Sequence, residues 1–146
     1  MAILIFILVL WYGGLFFQTF FLHRYAAHQT YTMSKTTEKV MYVLTWLFQG
    51  SSYLSAYGYG IMHRVHHAYA DTEKDPHSPK YDKSLFAMMV KTKDVYQDIN
   101  KGRVKVDEKF TINVPQWESF DLFASSMFSR ISWGVLYAAF FYFFAT

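Results

Sequence analysis

Five histidines in two short runs carry the chemistry available to this chain. The run "HRVHH" places His63, His66 and His67 at spacing i, i+3, i+4, and upstream "HRYAAH" places His23 and His28 at i, i+5. On a helix, residues three and four apart share one face, so the second run aims three imidazoles at one volume. The first run is less obliging: i and i+5 stand about 140° apart on an ideal α-helix. His23 and His28 converge only if the helix end bends, or if each serves a different ion. Imidazole ligates zinc, copper, iron and nickel, whereas magnesium and calcium prefer oxygen. The chain has no cysteine, which excludes thiolate metal sites, disulfides and thiol nucleophiles. A sixth histidine, His77, stands apart in "DPH", where a local hydrogen-bonding role is expected.

The elements that position these residues are membrane elements. Of 146 residues, 53% are apolar and 21% aromatic, far above globular usage. Residues 1–22 contain no charged side chain, and ~20 residues of helix span the ~30 Å hydrocarbon core. With no basic n-region and no small-x-small cleavage site, this run reads as a retained spanning helix rather than a signal peptide. A second apolar run, residues 131–145, follows Arg130, whose long stem suits a headgroup layer. Its 15 residues make about 22 Å of helix, so this second span is expected to be incomplete. Polar and ionisable groups clustered beside such segments are expensive and are usually functional.

Charge sets the orientation. All 14 Lys and Arg lie between Arg24 and Arg130, which predicts that the middle of the chain and its histidines face the cytoplasm. The net charge of +3 describes a membrane-facing loop, and nothing matches the basic, aromatic-interleaved surface of a nucleic-acid binder. Lys91, Lys93, Lys101 and Lys105 alternate with Asp94, Asp98, Asp107 and Glu108, as a solvated face does. Residues 39–62 are apolar but interrupted, and the stretch between the two histidine runs is too short for two crossings; an interfacial or re-entrant segment is expected. A cytoplasmic helix is expected over residues 85–102, closed by Asn100 or Gly102. The fold class is therefore an all-α membrane protein in one domain. Its parts are a transmembrane helix at 1–22, a cytoplasmic and interfacial region at 23–117, and a second transmembrane helix at 118–146.

"HRYAAH", then "HRVHH", then "DPH" resembles the membrane fatty acid desaturase family, especially its acyl-CoA branch of the delta-9 type. That family carries a first box His-Arg-x-x-x-His, a second His-Arg-x-His-His and an Asp-Pro-His segment after it. Phe48-Gln49 also matches the stretch before the second box. The resemblance implies two iron ions ligated by His23, His28, His63, His66 and His67, with His77 not implied. It implies dioxygen as co-substrate, an electron donor such as ferredoxin or a small cytochrome, and removal of two hydrogens from a fatty acyl chain to leave a cis double bond. Such C–H bonds are inert to acid–base chemistry, so redox-silent zinc cannot do the work, although zinc can occupy the site on purification. Trp46, Gln49, Tyr53 and Tyr57 are the candidates to line an acyl tunnel. Ile61-Met62 stands where acyl-CoA members carry Arg-Asp, which leaves CoA, carrier protein or lipid open as the acyl carrier. The family's third box, of the type His-x-x-His-His, has no counterpart after His77. The chain is therefore expected to be an N-terminal portion, inactive by itself. The alternatives are a related hydroxylase or monooxygenase, and a non-catalytic membrane metal-binding fragment.

Overall fold

The computed structural model describes residues 1–144; the last two residues of the expected second span, 145 and 146, lie outside the described residues. No β-strand occurs among the described residues. Helix α1 (Ala2–Phe17) does not stop where the apolar run does. It continues without a break as a π-helical segment, Gln18–Ala27, which carries the first histidine. Together they form an unbroken 26-residue helix, Ala2–Ala27, long and apolar enough to cross a membrane. The upper part leaves Leu4, Ile5, Leu8, Val9, Trp11, Leu15 and Phe16 exposed, as lipid-facing residues are in the absence of a bilayer. The lower part is the reverse: Phe21, Leu22 and Ala26 are fully buried.

Helix α2 (Lys35–Gln49) starts at Ser34, whose side chain accepts from the Thr37 amide, a standard N-cap. It returns along α1, where Gly13 lets Phe48 approach: a Cβ on Gly13 would stand 2.0 Å from the Phe48 ring. Gly50, at φ 54, then turns the chain through a single 3₁₀ turn, Gly50–Ser52, into α3 (Ala56–Tyr69). Residues 39–62 are thus a helical hairpin, and α2, at 15 residues, is too short to span. Helix α4 (Leu85–Asn100) packs on α3 and ends where expected. Gly102 adopts φ 62, and the Arg103 amide donates to the Asp98 carbonyl, the glycine-closed ending common at helix C-termini.

The C-terminal part differs from a single span over 118–146. A short α5 (Glu108–Thr111) is followed by α6 (Glu118–Ala124), then a break, then α7 (Met127–Phe144). Ser125 and Ser126 interrupt the helix, with the Ser125 hydroxyl bonded to the Asp121 carbonyl. Among the described residues of this part, α7 alone is long and apolar enough to cross. Arg130, the fourth residue of this helix, donates to the carbonyls of Ser51, Tyr53 and Ser125. It therefore bolts α7 to the Gly50 turn. Aromatic contacts join the two spans, with Phe6 stacked on Phe140 at 4.0 Å between centroids.

Candidate metal centre

The i, i+5 spacing of His23 and His28 finds its explanation in the winding. A π-helix closes its hydrogen bonds from i to i+5, and the His28 amide donates to the His23 carbonyl at 3.0 Å. This winding, wider than an α-helix, brings His28 back over His23, with ring centroids 4.5 Å apart. The two rings converge without a bend.

Helix α3 crosses this segment and supplies the partners. Side-chain nitrogens of His23, His28, His63 and His67 all lie within 4.8 Å of one another. The Nε2 of His63 is 3.1 Å from that of His28 and 3.0 Å from that of His67. Two imidazole nitrogens at right angles on an ion with ~2.1 Å bonds stand about 3.0 Å apart, so the donor set fits a transition-metal ion. His23 and His63 are half-buried, and His28 and His67 exposed, so the cluster opens on one side. Burial and neighbouring charge favour the neutral, ligating form of two of these rings. Burial, then the neighbouring His23, His67 and His28, pushes the His63 imidazole down to about 4. Burial, with His23, His67 and Arg64, also lowers His28.

The close crossing has a physical basis. Gly60 faces the π segment, and a Cβ there would meet the Ala26 carbonyl oxygen at 3.2 Å. Arg64, the second residue of "HRVHH", then ties the crossing down. Its guanidinium donates to the carbonyls of Ala27 at 2.7 Å and Ala26 at 3.2 Å, and to those of Ile112 at 2.7 Å and Phe110 at 3.2 Å. The orphan carbonyls at the end of the first box helix are thereby satisfied by an arginine from the second.

His66 lies apart from the four. Its ring is 5.7 Å from His67 and 6.4 Å from His63 between centroids, and its Nδ1 is 2.8 Å from Asp75 Oδ1. Burial opposes ionisation of Asp75. Hydrogen bonds from the His66 ring and from the amides of His77 and Asp71 outweigh it and hold the carboxyl below its ordinary value. His77 has a local role, as expected from sequence: its Nδ1 is 3.1 Å from the Thr92 hydroxyl, which donates to the Pro76 carbonyl.

The four tunnel candidates do not line one space. Gln49 borders a cleft of about 350 Å³ between α1, the Gly50 turn and α7, together with Phe6, Leu10, Phe48, Tyr137 and Phe141. Tyr53 is fully buried and donates to Asp121 at 2.6 Å. Trp46 donates to the Ser129 hydroxyl, and Tyr57 packs against the cluster around Ile61 and Ile99. Sequence reasoning passed over Arg64 and Asp75. Arg64 was visible as part of the box, but its bonds are to backbone carbonyls, which no side-chain pattern reports.

A model of the family described as fatty acid desaturase matches residues 1–146, the whole chain. No relative is found among curated proteins or solved structures. The chain belongs to the fatty acid desaturase family, and so to the oxidoreductases of lipid metabolism.

Proposed function

We propose that this chain binds two iron ions through His23, His28, His63, His66 and His67 and contributes them to a desaturase that introduces a cis double bond into a fatty acyl chain. The observation that carries the reading is the convergence of four imidazoles from two helices into a 4.8 Å group, with a fifth nearby. The bound iron supplies the oxidising power that C–H removal requires. The balance is two hydrogens from adjacent carbons, one dioxygen, two electrons and two protons, giving the double bond and two waters. The protein's own residues hold the ions and fix the approach of the chain. His23 and His63 do so from the half-buried side, and Arg64 keeps the two boxes in register. The cleft beside Gln49 supports a place for an acyl tail between the two spans. The acyl group arrives on CoA, a carrier protein or a lipid, and the electrons from a ferredoxin or small cytochrome, on the cytoplasmic face where the basic residues lie.

The test is metal analysis of the full chain, purified in detergent and loaded with ferrous iron without oxygen. Bound iron is expected in the wild type and strongly reduced in His63→Ala, which removes the central imidazole. Equal iron in the wild type and in a variant lacking all five histidines would overturn the reading. A hydroxyl in place of a double bond in the product would assign the related hydroxylase activity instead.

A further inference from the structure

We infer that Asp75 is a positioning residue that reserves His66 for a second metal ion, apart from the four-imidazole group. The inference deepens the di-iron reading and rests on it. Its ground is a difference in how the box histidines are held. Within the group of four, five ring pairs have centroids 4.5 to 5.0 Å apart, and the Nε2 of His63 faces those of His28 and His67 with no carboxylate between them. His66 alone is engaged through Nδ1, and by a carboxylate that is 0% exposed.

That contact settles the tautomer. An ionised carboxylate only accepts, so the proton of a neutral His66 ring sits on Nδ1, and the lone pair is left on Nε2. A ligating histidine in proteins ordinarily gives its other N–H to a carboxylate or carbonyl, which fixes the ring and raises its basicity. Asp75 is itself held from several sides. Oδ1 also takes the His77 amide at 2.8 Å and Oδ2 the Asp71 amide at 3.0 Å. The next residues are tied to α4, because Thr92 accepts from His77 and donates to Pro76. The loop between α3 and α4 thus delivers one fixed acceptor to one ring. A loop anchor with no further purpose would not need the His66 contact, since the two amides already hold the carboxylate. The placement of His66, outside the 4.8 Å group yet on the same helix face as His63, then gives the five histidines a division of four and one.

The experiment is a titration of the full metal-free chain in detergent with cobalt(II) alone, followed by its visible absorption. Histidine tautomers are read in parallel from ¹⁵N shifts. The wild type is expected to bind in two steps, with His66 protonated on Nδ1 before metal is added. Asp75→Ala is expected to weaken the second step by about 10–100-fold, leave the first unchanged, and shift His66 toward the Nε2–H tautomer. His66→Ala is expected to remove the same step while leaving the loop intact, which separates a role at the metal from a role in folding. An unchanged tautomer in Asp75→Ala, or equal weakening of both steps, would overturn the proposal and leave Asp75 a loop anchor. A wild type that binds in one step would overturn it too, with the four-histidine site still standing. A wild type that binds no cobalt would sink the di-iron reading itself.

Discussion

His63 is the residue on which the cluster turns. It meets two other Nε2 atoms, stacks on Tyr59 with planes 9° apart, and is the most strongly perturbed imidazole in the group. Its sign under acid follows. Above pH 6.5 the ring is neutral folded or unfolded. Between 6.5 and about 4 the unfolded chain takes up a proton that the folded chain refuses, so the metal-free fold loses stability across that window and levels off below it. Urea midpoints of the metal-free protein should fall between pH 6.5 and 4, and His63→Ala should flatten that slope. Asp121 runs the other way. Burial pushes its carboxyl up from 3.8 to about 6, against the Tyr53 hydroxyl and Trp117 backbone bonds that favour the charge. Acidification from 6 toward 4 therefore stabilises the fold through this group. Asp121→Asn keeps an acceptor for Tyr53, and should raise stability by about 1–3 kcal/mol at pH 7.5, with the gain vanishing near pH 4. At this scale the histidine cluster was legible because residue type and helical spacing tell which rings can share one volume. Asp75 was not, because its partner is set by how a loop folds back.

Among the elements, the π segment and the α3–α4 crossing decide whether those side chains meet. Sequence spacing favoured an α-helical reading of the first run, on which its histidines diverge; the pattern of apolar residues carries no mark of the wider winding. The α4 ending was legible, since a glycine two residues past Asn100 has few other uses. What α4 does for α3 was not. Ser55 donates its amide to the Tyr96 hydroxyl and its own hydroxyl to Asn100 Oδ1, and Gly58 leaves room for both. A Cβ on Gly58 would meet Asn100 Oδ1 and Tyr96 Cε2 at 2.8 Å each. Gly58→Ala should therefore cost about 1–3 kcal/mol by forcing the helices apart, despite alanine's better helix propensity. Denaturant unfolding of the variant checks it; unchanged stability would mean that Asn100 gives way at no cost.

For the whole molecule, two apolar helices joined by a basic middle were plain from the charge-free run at 1–22 and the aromatic run after Arg130. The helix break at Ser125–Ser126 was not, because whether a serine bends a helix depends on the backbone partner that its hydroxyl finds. The positive residues predict one topology: single cysteines at Ala70 and Lys105, both exposed, should be labelled only from the cytoplasmic side of sealed vesicles. Labelling from the opposite side would reverse the orientation of both boxes. The guanidinium of Arg64 carries a consequence for how such a chain is made. Its partners at Ala26 and Ala27 are synthesised before it, but Ile112 follows 48 residues later, about 2–10 s at ~5–20 residues per second of translation. During that interval all four clustered imidazoles have left the ribosome while half the clasp is still unborn. On the proposed metal reading, an ion reaching the cluster during synthesis would meet an unfinished vessel, and the timing of synthesis, as well as affinity, would have a part in which metal is first taken aboard.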